Sequence, residues 1–154
     1  MTTNSEVVTL RGRGLGGGIA EGEALVTKQF FGFTHGVIPA TGEISDERHE
    51  WRGLNLKGKI IVFPKGKSSS SGGVWILETA RCENLPAAIV NVEAEAITGS
   101  GCIFARLLYN KKIPLVDRLD QDPCDVIRTG DIVRVDGDAG VVEILKRVGG
   151  SRPA

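Results

Sequence analysis

Residues 59–82, KIIVFPKGKSSSSGGVWILETARC, decide the fold because the side-chain pattern changes character twice within them. Lys59 to Phe63 is a short apolar run rich in β-branched residues, the pattern of a buried strand. Pro64 to Gly73 is polar and broken by glycines, as a turn requires. From Val74 to Cys82 the period becomes helical, with Val74, Ile76, Leu77 and Ala80 able to share one face. Strand, turn and helix in this order make half of a βαβ unit.

The same alternation continues outward. Ala87 to Val92 reads as a second buried strand, Ala96 to Tyr109 as a second helix and Ile113 to Val116 as a third strand. This series predicts a small parallel sheet with crossover helices. On the C-terminal side, Asp131 to Asp136 and Gly140 to Leu145 flank an Asp-Gly turn, the mark of a hairpin. On the N-terminal side, Val7 to Arg11 and Glu23 to Gln29 read as strands about a glycine cluster, so both ends are expected to be hairpin-like. Phe30 to Arg52 has no sustained period and reads as a long loop, a kind of segment often functional in a compact domain. Gly149 to Ala154 reads as a frayed tail. The expectation is one α/β domain over 1–154, with its core at about 5–147.

Composition narrows the function. A chain of 154 residues is long enough to bury roughly two-thirds of its unfolded surface. Its 19 basic residues balance 19 acidic ones, and the basic residues form no stripe. Neither nucleic acid nor an anionic membrane is therefore expected as a partner. No apolar run approaches the ~20 residues that span a bilayer, and Met1 to Gly14 lacks the apolar core of a signal peptide, so the expected compartment is the cytoplasm. Cys82, Cys102 and Cys124 are odd in number and widely spaced, which argues against a disulfide framework and against a metal site built from this chain.

Gly12, Gly14 and Gly17 satisfy GxGxxG, but EGEALVTKQFF after them looks like a strand where a dinucleotide fold needs a helix. A glycine turn joining strands is the better reading. The 64–73 segment is neither a Walker A loop nor GxSxG, and no carboxylate–histidine pair completes a hydrolase triad. It does gather four hydroxyls, two lysines and free backbone N–H groups at a helix N-terminus, which is a ready anion site. Against this stands a plain Ser/Gly turn with one serine capping the helix; the position between strand and helix favours function. His35 and His49 share the long loop and are read as satisfied polar residues rather than bases.

Taken together, GGGIAEGEALV, HGVIPATGEISD, GKIIVFPKGKSSSSGG, AAIV and KKIPLV resemble, in order, the small subunit of aconitase X over roughly residues 10 to 117. That resemblance implies the swivelling β/β/α domain of aconitases and a heteromeric hydro-lyase acting on a small hydroxy acid. It also implies a separate large subunit carrying an iron–sulfur cluster, with no metal on this chain, whose iron acts as a Lewis acid on the leaving hydroxyl. A serine of this domain would remove the proton next to the substrate carboxylate. Two departures stand out: Ile38 precedes Pro39 where the family has an aspartate, and Ser68 takes the position of a glycine. Counting past that position makes Ser69 the catalytic base. Lys67, Ser70, Ser71, Gly72 and Gly36 are the expected substrate-binding residues.

The resemblance implies cis-3-hydroxy-L-proline or mevalonate 5-phosphate as substrate. The loop KGKSSSSGG differs from the Gly-Ser-Thr-Val-Gly-Ser type of the mevalonate enzymes, so hydroxyproline is the expected substrate and mevalonate 5-phosphate the alternative. Two other classes share parts of the pattern. A phosphohistidine swivelling domain, which GDIVRVDGDAG superficially resembles, needs a histidine that is absent beyond His49. A non-catalytic anion-binding module needs only the serine loop.

Overall fold

The computed structural model describes residues 7–67 and 69–149, so Ser68 and most of the expected C-terminal tail lie outside the described residues. Eight strands and three helices alternate along the chain: β1 (Val8–Arg11), β2 (Arg13–Gly14), β3 (Ile19–Val26), β4 (Ile60–Phe63), α1 (Gly72–Arg81), β5 (Ala88–Asn91), α2 (Ala96–Tyr109), β6 (Leu115–Asp117), α3 (Pro123–Val126), β7 (Ile132–Asp136) and β8 (Val141–Lys146). The sheet order is β1-β8-β7-β3-β4-β5-β6-β2. β3, β4, β5 and β6 are parallel, and the remaining neighbours are antiparallel. The expected βαβαβ centre is present, with β3 as an additional parallel strand.

The period of two sorts the parallel strands between two cores. Ile61, Phe63 and Ile89 join Ile76 and Ala80 of α1 and Ala105 of α2 in one cluster. Ile60, Val62, Ala88 and Val90 join Leu10, Val133, Val135 and Val142 in the other. Burial on both faces is why β4 and β5 read as uninterrupted apolar runs. Gly73 of α1 and Gly101 of α2 let the two helices meet backbone to backbone, since a Cβ at Gly101 would lie 3.0 Å from the Gly73 Cα. Val74, expected on the buried face, instead points outward; Gly73, Ile76, Thr79 and Ala80 form that face.

The expected N-terminal hairpin does not form. β1 pairs with β8 and β3 with β7, so both flank the C-terminal hairpin, which does form as expected. β1 and β2 stand at opposite ends of the strand order with only Gly12 between them, so the sheet must curl until its ends meet. The glycine cluster makes this closure possible through backbone approach. Gly14, for example, sits where a Cβ would strike the Gly137 carbonyl, and Gly17 has φ +96°. The GxGxxG pattern thus joins strands and opens no helix. Among the described residues, no helix is long and apolar enough to cross a membrane.

Candidate functional site

The long loop is anchored at its start by continuing the β3–β4 pairing past the ends of those strands. Phe31 N–H donates to Lys65 O and Lys67 N–H to Phe31 O, both at 3.3 Å. Phe31 then sits at the centre of an aromatic cluster, with ring centroids 5.5 Å from Phe33, 5.2 Å from Trp51 and 5.5 Å from Phe63. Burying such side chains stabilises the loop by roughly 1.5–3 kcal/mol each. The segment without regular period is therefore a packed cap over the helix-side core, not a slack connection.

This anchoring delivers Thr34 to the start of α1, where it forms a triangle of hydroxyls with two serines. Ser69 Oγ donates to Thr34 Oγ1 at 3.1 Å. Thr34 Oγ1 lies 2.9 Å from Ser71 Oγ, and Ser71 Oγ 3.2 Å from Ser69 Oγ. Ser71 is the N-cap residue of α1, yet its side chain makes no capping bond, and no acidic residue occupies the first turn. Among the described residues the N–H groups of Ser71, Gly73 and Val74 have no acceptor. Partial positive charge thus faces Ser69 without an internal counter-charge on that turn.

Ser69 opens onto a cleft of about 590 Å³ that Lys65, Ser70, Glu93, Glu95 and Ile97 also line. Lys65, not assigned a separate role by sequence, supplies a cation there. Lys67 turns to the long loop, where its ammonium pairs with Asp46 at 2.6 Å; this bond holds the Asp46 carboxyl below its ordinary value. Two carboxylates share the cleft. Glu93 reaches Arg118 at 3.4 Å, whereas Glu95 keeps one buried oxygen without a hydrogen-bond partner.

The other expected residues are placed as follows. Ser70 is exposed on the cleft rim. Gly72 begins α1, where a Cβ would meet the Ile97 side chain at 3.2 Å. Gly36 is buried, its N–H donates to Phe33 O and its carbonyl accepts from Ser45 N–H. A Cβ at Gly36 would run into the Gly32 carbonyl, so this glycine serves the close folding of the loop. His35 packs against Trp75 with ring centroids 4.8 Å apart and the planes tilted by 60°. His49 is buried, accepts from Trp51 N–H through Nδ1, and is held below its ordinary pKa by desolvation. Neither histidine reaches the hydroxyl triangle, whose bonds run only among Thr34, Ser69 and Ser71.

The cysteines do not assemble. Cys102 packs on the helix-side core and Cys124 lies in the opposite one. Burial pushes both thiols up to about 12. Among the described residues, no group of three or more His, Cys, Asp or Glu side chains is arranged to hold a metal ion.

Because the Ser71 hydroxyl does not cap α1, Ser71→Ala is expected to lower stability by less than about 0.5 kcal/mol, against the ~1 kcal/mol typical of a capping serine. The urea midpoint at unchanged slope measures this. A loss well above 1 kcal/mol would mean that the hydroxyl caps the helix in solution.

A curled mixed sheet with α1 and α2 on one side, and a serine-rich helix N-terminus at one end, defines a swivelling domain of the aconitase kind. The chain belongs to the aconitase X swivel domain family, whose model matches residues 9–144. It is 39% identical over 140 residues to the phosphomevalonate dehydratase small subunit of Methanosarcina mazei, covering 91% of this chain and 93% of that one. The protein of the same description from Thermococcus kodakarensis is 41% identical over 137 residues, covering 89% and 96%. A crystal structure of Thermococcus kodakaraensis aconitase X in its holo-form superposes with a TM-score of 0.81 at 40% identity, covering 90% of this chain and 99% of that chain.

Proposed function

We propose that this chain is the small subunit of a phosphomevalonate dehydratase and supplies the base of that reaction to a site completed by a large subunit. The carrying observation is the agreement of relatives 37–41% identical to it over 84–92% of its length, all described as phosphomevalonate dehydratase small subunits. The preference for hydroxyproline drawn from the serine loop alone is thereby reversed. A few loop residues are a weaker guide than identity spread over the whole domain. The chemistry is compatible: mevalonate 5-phosphate carries a carboxylate and a phosphate, and Lys65 with the free N–H groups of α1 offers positive potential to either. The exposed apolar face of α2, formed by Ile103, Phe104, Leu107 and Leu108, is consistent with a chain that works in a complex.

In this reading Ser69 is the base, with the dipole of α1 and Lys65 lowering the cost of its alkoxide. Ser70, Ser71 and Gly72 form the substrate side of the loop, Lys67 braces it from the far side through Asp46, and Gly36 supports it from beneath. The iron–sulfur cluster implied by the family resides on the large subunit; Cys102 and Cys124 of this chain belong to opposite cores, and no metal-holding group of side chains stands among the described residues. The domain spans the whole chain and acts in the cytoplasm.

The test is anaerobic co-expression with the large subunit, followed by assay of both hydroxy acids. Mevalonate 5-phosphate is expected to be dehydrated and cis-3-hydroxy-L-proline to be inert. Turnover of hydroxyproline alone would reverse the assignment, and turnover of neither would favour an anion-binding module.

A further inference from the structure

We infer that Thr34 and Ser71 are positioning residues that hold Ser69 in its basic form, an inference resting on the proposed role of Ser69. The hydroxyl triangle is the observation behind it. In the neutral state Ser69 gives its proton to Thr34 Oγ1 at 3.1 Å, which draws that proton to the loop side and leaves lone pairs of Oγ for the cleft. When the proton leaves to solvent, the alkoxide has two hydroxyl donors within reach, Thr34 and Ser71, themselves 2.9 Å apart. Both can rotate their O–H bonds toward it without moving a heavy atom. Such preorganised donors stabilise a developing anion far more than solvent exposure does.

The step balances. Ser69 Oγ⁻ takes the proton from the carbon next to the carboxylate, that C–H pair becomes the double bond, and hydroxide departs from the neighbouring carbon. The serine then returns its proton to the solvent pool, for a net loss of water. Ser71 fits this role because its hydroxyl is withheld from helix capping. Thr34 fits because the pairing of Phe31 with Lys65 and Lys67 fixes its backbone opposite the serine loop. The charged groups lining the same space are Lys65, Glu93 and Glu95, with Lys67 tied to Asp46 beside them; the Thr34 hydroxyl bonds only Ser69 and Ser71 among the described residues.

The experiment compares Thr34→Val, Thr34→Ser, Ser71→Ala and Ser69→Ala, each assembled with the large subunit and checked for co-elution with it. Thr34→Val keeps the side-chain shape, so assembly should persist while kcat falls about 10²-fold, the usual effect of removing one such donor, with KM little changed. The rising limb of its kcat–pH profile should move to higher pH, because the alkoxide has lost a donor. Thr34→Ser should restore both the rate and the profile, and Ser71→Ala should shift the limb in the same direction. An inactive Ser69→Ala beside a Thr34→Val enzyme of near-normal kcat and unshifted profile would overturn the inference while sparing the base. An active Ser69→Ala would instead remove the base itself. Equal losses in Thr34→Val and Thr34→Ser without a shift would assign Thr34 a purely structural role.

Discussion

Ser69→Ala is expected to lower kcat by about 10²–10⁴-fold, the range for loss of a general base, while leaving the fold intact. The two effects separate because of where the hydroxyl stands. Its hydrogen bonds run only to Thr34 and Ser71, which can bond each other once it is gone, so no buried polar group is orphaned. Stability should therefore change by no more than about 1 kcal/mol. Ser70→Ala is the comparison on the substrate side of the loop: its side chain is exposed on the cleft rim, so its loss is expected to raise KM rather than to remove the base. Its effect on kcat should stay well under that of losing a base. Kinetics of Ser68, Ser69, Ser70 and Ser71 alanine variants, each assembled with the large subunit, measure this. Near-normal kcat in Ser69→Ala with a dead neighbour would move the base by one position. Activity in all four would remove a serine base from the mechanism.

What could be read from sequence follows from where each element is buried. β4 and β5 were plain because they are covered on both faces, and α2 was plain because fourteen residues carry several turns of period. β3 begins four residues before the strand that the pattern predicts: its first half, Ile19 to Gly22, has Ile19 exposed and alternates with small or acidic residues, so no apolar stripe marks it. β2, with two residues, and α3, with a single turn opened by Asp122 and Pro123, are too short for any period. Pairing across the ends of the chain was illegible for a different reason. Nothing local to β1 says that its partner is β8 rather than β3; the choice is made by the curl of the sheet.

The site divides in the same way. The serine loop was legible because strand, turn and helix chemistry converge within one segment. Thr34 was not, since its place depends on backbone pairing between Phe31 and Lys65–Lys67, a long-range event. The one available signal was its position directly before HGVIPATGEISD. Likewise Lys67 looked like a substrate cation until Asp46, from the end of that motif, proved to hold it.

Asp117→Ala is expected to destabilise the chain by about 2–3 kcal/mol at neutral pH, because one carboxylate fastens three parts of the fold. Its side chain is 0% exposed. Arg13 grips it with Nε at 2.9 Å and Nη2 at 2.8 Å, in the β2–β6 pair that closes the sheet. Ala94 N–H donates to it at 2.8 Å just before α2, on the wall of the cleft that Ser69 faces. Removing the acid strands that N–H and leaves Arg13 alone. Arg13 is 42% exposed and can rehydrate, which keeps the cost below that of breaking a fully buried pair.

The pH dependence has a definite sign. Burial pushes the Asp117 carboxyl up, but the bonds from Arg13 and Ala94 N–H outweigh it, and the carboxyl is held below its ordinary value. Its stabilisation is thus fully present above the unfolded-chain value of about 4 and is lost as pH falls through the lower folded value. Asp46 and Glu78 are lowered as well, so the wild-type acid transition alone is not diagnostic. The difference from Asp117→Asn is, because the amide keeps the shape and does not titrate. That difference, read from urea unfolding, should be constant from pH 5 to pH 7 and shrink below about pH 4. Parallel stability curves down to pH 3 would mean that Asp117 does not carry the charge on which the clamp depends.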